Sequence, residues 1–395
     1  MKKFFKLVLV LVLCVCSVFA LSACESKGKV KVGLICLHDE SSTYDKNFID
    51  SMYRALDELG LKAKSLELVT GIGEDNSCYE KACELASTCD IVFADSFGHE
   101  PYLLQAAKEN PDTVFCHATG TQAHTAGVAN YYNAFAAIYE GRYLAGIAAG
   151  MKLNEMIEAG KFTALEAMVG YVGAYPYAEV VSGYTSFYLG AKSVCPTVTM
   201  EVRYTSSWYD YDKEAAAATA LIAAGCKLIS QHADSYGAPT VCEENNVPNV
   251  TYNGTTVAKC PNTYVVSSKI DWAPYYVKMI SAVMNGETVS EKDYVGTITS
   301  GSVKLDAVGT CAAAGTQDAI DAAIEQFKAG TLHVFATANF TVGGQTLTTY
   351  LADVHDAGDF VGETEVIANG YFHESEYRSA PYFDLRIDGI TEIND

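Results

Sequence analysis

Short runs of apolar residues recur along the chain, and each gives way to a stretch with helical spacing. Lys29–Leu37 is rich in Val, Leu and Ile and predicts a buried strand. Phe48, Ile49, Met52, Ala55, Leu56 and Leu59 follow at helical intervals, with Asp45 placed to cap the helix and Gly60 to end it. Strand-like Cys89–Phe93 and Thr113–Cys116 come next. The same grammar then returns: strand Met168–Ala174, helix Ala178–Ala191, strand Thr197–Tyr204, an alanine-rich helix Lys213–Ala224, and strands Cys226–Ser230 and Val247–Tyr252. Strands alternating with helices imply parallel sheets covered by crossover helices.

The two stretches run in register. Ala94-Asp95-Ser96 closes one central strand and Ala233-Asp234-Ser235 follows the other, 62 residues after Gly33 and 64 after Gly170. The next strands end at Gly120 and Gly254. Two similar α/β lobes with polar strand ends imply a cleft, and a cleft implies a ligand. Ala134–Met151 is rich in Ala and Gly, as suits a helix packed closely at a lobe junction. Residues 152–167 read as a surface insertion. Tyr264–Ser268 predicts a strand leading into a helix through Met284 that could return the chain to the first lobe, and Thr316–Lys328 predicts a late helix.

Composition narrows the setting. Lys2, Lys3 and Lys6 precede an apolar run from Leu7 to Ala20, and Leu21-Ser22-Ala23-Cys24 then places small residues before a cysteine. This is the pattern of a secretory signal, too short at its apolar centre for a comfortable membrane span. Its ending resembles a bacterial lipobox, which implies cleavage before Cys24 and a diacylglycerol anchor on that thiol; in an ordinary signal peptide Cys24 would be incidental. Each buried acyl CH₂ contributes roughly 0.8 kcal/mol to membrane attachment. Loss of the three signal lysines takes the formal charge from −21 to −24. So acidic a body is repelled by nucleic-acid phosphate and by anionic lipid headgroups. Thirteen cysteines show irregular spacing and no C-x-x-C. Free, buried thiols are expected, without a disulfide framework or a metal cluster.

In open α/β sheets ligands bind beyond the carboxyl ends of the strands. That rule selects His38–Asn47, Asp95–His99 and His117–Gly120 from the first half, and within them Tyr44, Asp45, Asn47, Phe97 and His117. From the second it selects Tyr175–Tyr177, Ser206–Asp210, His232–Ser235 and Asn253-Gly254, and within them Tyr175, Trp208, Asp210, Asp234 and Asn253; Trp272 stands on the returning segment. They supply aromatic faces, carboxylates, amides and hydroxyls but almost no positive charge. Such a lining suits a flat, neutral ring with hydrogen-bonding edges, which aromatic side chains can clamp. Each residue also has a plainer reading. A strand-end Asp can cap a helix, Trp208 can pack between lobes, Trp272 can pack at a hinge, and His117 can be satisfied within its strand end. No P-loop, nucleophile elbow, H-E-x-x-H or other cofactor or catalytic signature is present. Glu179 and Asp210 are the nearest thing to a catalytic carboxylate pair, and two acids in so acidic a chain carry little weight.

Several segments, in order, resemble the basic membrane protein family of substrate-binding lipoproteins. They are Asp95-Ser96-Phe97-Gly98, Ala106–Asp112, His117–Gly120, Tyr139–Gly146, Ala191–Pro196, Ser207–Asp210, Gln231–Ser235 and Trp272–Tyr276. Members serve ABC importers of purine nucleosides and nucleobases. The resemblance implies a type I periplasmic-binding-protein fold, two doubly wound parallel-sheet lobes joined by hinge segments and closing on a purine, with an ABC permease and ATPase as partners. It implies a signal peptide over 1–23, a lipidated tether over 24–30, a first lobe from 31–150 and about 270–310, and a second from 151–269 and about 311–395. By position, Asp45 and Asn47 approach the ligand from the first helix. Phe97 and Trp208 flank the base, Asp234 and Asn253 supply polar contacts, and Asp271 and Trp272 lie at the hinge. Nucleoside-binding members carry paired aspartates before Lys-Ser-Phe-Asn. This chain has Tyr44-Asp45-Lys46-Asn47-Phe48, one acid fewer to face a ribose. A sugar or an autoinducer-like ligand, or a surface sensor without transport, remain the alternative readings.

Overall fold

A computed structural model describes residues 30–355 and 361–393, so the signal segment and Cys24 lie outside the described residues. The first lobe runs β1 (Val32–Ile35), α1 (Thr43–Glu58), β2 (Leu66–Val69), α2 (Asn76–Ala86), β3 (Ile91–Ala94), α3 (Glu100–Glu109), β4 (Val114–Ala118) and β5 (Tyr131–Ala136). Every residue of β1 and β3 is buried, as parallel strands covered on both faces require. Val32 and Leu34 pack with Phe48 and Met52 of α1, while Ile35 faces Leu85 of α2 and Leu103 of α3.

The second lobe runs α4 (Ile138–Glu158), β6 (Met168–Gly173), α5 (Ala178–Val194), β7 (Thr199–Tyr204), α6 (Tyr211–Ala223), β8 (Leu228–His232), α7 (Gly237–Asn245), β9 (Asn249–Tyr252) and β10 (Tyr264–Ile270). Then come α8 (Ala273–Asn285), β11 (Asp293–Gly296), β12 (Val303–Leu305), α9 (Thr316–Lys328), four two-residue strands, β13 (Leu351–Ala352), β14 (Thr364–Glu365), β15 (Ile367–Ala368) and β16 (Tyr371–Phe372), and β17 (Ile390–Ile393). The first sheet has the order β11-β5-β4-β3-β1-β2 and the second β12-β10-β9-β8-β6-β7-β17. All neighbours in both are parallel except β10 and β12. The chain therefore passes between lobes three times, after β5, after β10 and after β11. This is the type I periplasmic-binding architecture.

Four details differ from the sequence reading. The cap of α1 is Ser42, not Asp45, because the Ser42 hydroxyl accepts the Asp45 amide. Residues 152–158 are no insertion: they continue α4, with Leu153 fully buried. Helix α4 packs on α5 in the second lobe, so that lobe begins just after β5, not at residue 151. Bare backbone makes this possible, since a Cβ on Gly146 would run into the Phe187 carbonyl and one on Gly190 into that of Tyr143. Strand β12, read as first lobe, pairs with β10 in the second sheet. The ten described cysteines are all free, and eight are buried, as their apolar settings implied.

Candidate functional site

The loop between β1 and α1 is built around Asp45. His38 N–H donates to its Oδ1 at 2.7 Å and the Ser42 hydroxyl to its Oδ2 at 2.6 Å. Burial alone would raise the Asp45 pKa; the hydrogen bonds from His38 and Ser42 outweigh it and hold the carboxyl below its usual range. Next to it, Thr43 donates through both N–H and Oγ1 to the Asp234 carbonyl of the other lobe, at 3.0 and 3.1 Å. Tyr44 donates its hydroxyl to the Asp95 carbonyl at 2.8 Å. The two lobes thus meet at their polar strand ends.

Aromatic groups form the opposite wall. Tyr175 and Tyr177 stack at 5.1 Å, Trp208 meets Tyr175 edge-on at 5.2 Å, and Phe97 of the first lobe lies 5.8 Å from Tyr177. His38 and Tyr209 approach across the gap at 5.4 Å. His232 rests 4.1 Å from Tyr252 and reaches Glu179 at 3.4 Å. Burial pushes His232 below the usual histidine value against the pull of Glu179, which makes it a neutral ring near pH 7. Behind Tyr252, the fully buried Arg142 guanidinium lies 5.7 Å from that ring and donates to Thr251 O, Ser230 Oγ and Ser268 Oγ.

Between these walls lies a cleft with about 380 Å³ of free space, its open mouth included. Of the residues singled out in the sequence, Tyr44, Asp45, Phe97, Trp208 and Asp234 line it. The others stand elsewhere. Asn47 donates to the Ile270 carbonyl. His117 is buried behind the lining, with Nε2 2.7 Å from Ser96 O. Tyr175 backs Trp208 and Tyr177. Asp210 caps α6 and pairs with Lys213. Asn253, at φ 62°, is buried beside Asp234. Asp271 clasps Arg54 at 2.7 Å and Lys304 at 2.6 Å, joining elements of both lobes. Trp272 stacks on Phe48 at 4.2 Å inside the first lobe, the hinge-packing alternative.

The cleft also takes in His38, Ser96, Thr119 and His232 from the same strand-end segments, and Leu37, Glu179 and Tyr252, which the strand-end rule did not select. These last three stand one or two positions outside a selected segment, so a wider reading of the rule would have reached them. The lining holds three carboxylates, Asp45, Asp234 and Glu179, and no Lys or Arg. Burial, and then the nearness of Glu214, Asp45 and Glu179, pushes Asp234 well above the usual carboxyl range.

Residues 32–328 match the family Bmp, described as ABC transporter substrate-binding protein PnrA-like. The chain belongs to the Bmp family. It is 32% identical over 287 residues to a purine-binding protein of Brucella abortus, covering 72% of this chain and 77% of that one. It is also 32% identical over 251 residues to a Haloferax volcanii protein assigned to glucose binding in an ABC transporter, covering 64% and 60%. Among solved structures, a solute-binding protein of an ABC transporter system from Conexibacter woesei superposes with a TM-score of 0.63. It shares 21% identity and covers 77% of this chain and 98% of its own. That likeness concerns the fold. Bmp members are substrate-binding components, and the inter-lobe cleft of this Bmp protein stands where a substrate-binding protein holds its solute. No helix among the described residues is long and apolar enough to cross a membrane.

Proposed function

We propose that this protein captures a purine nucleobase or nucleoside in the inter-lobe cleft and delivers it to an ABC permease and its ATPase. We also propose that it works tethered outside the cell membrane by lipid on Cys24. The observation that carries the ligand reading is the lining itself. Phe97 and Trp208 bring aromatic faces from opposite lobes to a cleft whose charged groups are all carboxylates. A flat ring between aromatic faces gains roughly 0.5–1.5 kcal/mol beyond burial. Ring N–H, amino or ribose hydroxyl donors would satisfy Asp45, Asp234 and Glu179, and an analogue without them would leave a buried acceptor unpaired. An anionic phosphate would meet an acidic lining and no Lys or Arg. The Brucella relative named for purine binding supports the same class.

A second reading, a sugar, is favoured by the Haloferax relative and by the same carboxylates, which accept hydroxyls equally well. A thermal-shift screen separates them. Binding to the native state raises stability by about 2.7 kcal/mol at a hundredfold excess over Kd. Purines alone should raise the melting temperature; a shift with sugars alone, or with neither, would overturn the purine assignment.

A further inference from the structure

Asp95 follows β3 directly behind Asp45, and no part of its side chain reaches solvent. Its Oδ1 accepts the Leu37 N–H at 3.1 Å, whereas its Oδ2 is buried with no hydrogen-bond partner. One carboxyl oxygen of Asp95, one of Asp45 and the Cys36 sulfur lie within 4.8 Å of one another. Two carboxylates this close, out of water, cannot both keep their charge without a cation or a proton.

Among the described residues no Lys or Arg contacts the pair. On the cleft side the His38 ring Nδ1 lies 3.4 Å from Asp45 Oδ2, where it supports charge on Asp45. The base beside Asp95 is His99, whose Nδ1 lies 4.0 Å from Asp95 Oδ1. Its Nε2 faces the Ile72 carbonyl at 2.9 Å, a bond that requires the proton there. Nδ1 is left as an acceptor, facing the Ser96 N–H at 3.4 Å. Burial also holds the ring near a pKa of about 4, so it is neutral at physiological pH. The other titratable groups around Asp95 are Cys36, Cys78, Tyr44 and Tyr276. Each is pushed upward, foremost by burial, and so stays protonated and uncharged.

We propose that Asp95 is a positioning residue for Asp45: it carries a proton on Oδ2 and shares it with the Asp45 carboxylate, so that the pair presents a single negative charge to the cleft. The Asp45 side keeps the charge because it already accepts from His38 N and Ser42 Oγ and faces the His38 ring, whereas Asp95 accepts one N–H and has only the weak Cys36 thiol donor besides. Burial first, and the Asp45 charge second, displace Asp95 upward, in the same sense as the geometry. The proposal rests on the reading that Asp45 faces the ligand, but the proton itself does not.

The sign of the pH effect follows. A carboxyl whose folded pKa is raised binds a proton in the native state that the unfolded chain releases near pH 4. Stability is therefore lost as pH rises from about 4 toward the folded value, with a slope of up to tenfold in the folding constant per pH unit for one proton. In Asp95→Asn the amide nitrogen replaces the donor and the amide oxygen still accepts from Leu37. The variant should therefore gain on wild type as pH rises from 5 to 9. Asp234, the other strongly raised aspartate at the cleft, is common to both proteins and cancels in the difference.

The test compares urea unfolding of the full-length ligand-free wild type and D95N across that range, with adenosine affinity measured on the same samples. Diverging stability curves, with adenosine affinity of the wild type falling relative to D95N at high pH, are expected. Parallel curves would overturn the shared proton. So would stabilisation of the wild type, but not D95N, by calcium or zinc, which would put a metal in its place. If adenosine binds neither protein, the purine reading fails while the stability comparison still decides the proton. Should D95N not fold, the carboxyl-carbon NMR signal of Asp95 in the wild type decides: a protonated position at pH 7 is expected, and an ionised one overturns the proposal.

Discussion

Trp208 and Trp272 show how little a residue type says before its neighbours are known. Both tryptophans read as candidates for ligand contact. Trp208 lines the cleft, edge-on to Tyr175, whereas Trp272 is 2% exposed and stacked on Phe48. Trp208→Ala should therefore weaken ligand affinity by roughly tenfold or more while the protein melts near its usual temperature. Trp272→Ala should instead destabilise the fold by about 3–5 kcal/mol. Calorimetric titration and thermal melts of both variants check the pair, and a stable Trp272→Ala with lost binding would reverse the assignment. The same contrast holds for the acids. Asp45 and Asp234 face the cleft, while Asp210, equally plausible on paper, caps a helix and pairs with Lys213 on the surface.

Among the helices, α4 departs most from its sequence signature. Its apolar positions do not form one clear stripe, because it is buried on several sides by α5, by the second sheet and by α9. Its glycines carry the information instead. Gly146 and Gly150 of α4 and Gly190 of α5 let two backbones approach where any side chain would collide. Gly146→Ala, favourable by helix propensity alone by about 1 kcal/mol, should instead lower stability by about 1–3 kcal/mol through overpacking. Chemical denaturation measures this, and a stabilised variant would show that the helices can part without loss. Strands β1, β3, β6 and β8 and helix α9 were legible because burial on both faces, or a single amphipathic face, leaves a regular pattern. The end of α4 was not, because its half-buried last turns mix Lys152, Glu155 and Glu158 with Leu153 and Ile157, a pattern with no clear stripe.

Across the whole protein, the segment after the family match completes the second lobe. Phe335, Phe340, Phe372, Phe383 and Ile387 enter the second lobe's core, with Phe335 stacked on Phe383 at 4.2 Å. Strand β17 extends the second sheet beside β7, and Glu392 accepts from Tyr184 and Tyr204 at 2.7 and 2.6 Å. Ser379 also donates to Asp293 of the first lobe at 2.8 Å. Truncation after Lys328, at the end of the family match, should leave that apolar face open and yield aggregated protein. A soluble, cooperatively melting truncation would show the segment to be an accessory.

Strand-and-helix alternation, the duplicated register and the acidic, cation-poor strand ends were decided locally, by the spacing of residues close in sequence. These sufficed for the lobes, the family resemblance and the expectation of a cleft. Which side chains enter that cleft depended on contacts between residues tens to hundreds of positions apart. Thr43 meets Asp234, Phe97 meets Tyr177, and Asp95 comes to lie behind Asp45. Burial and charge pairing are properties of three-dimensional neighbourhoods. Only the folded chain could therefore turn a set of polar strand ends into a site with a defined face, and separate ligand-facing aspartates from helix caps and hinge clasps.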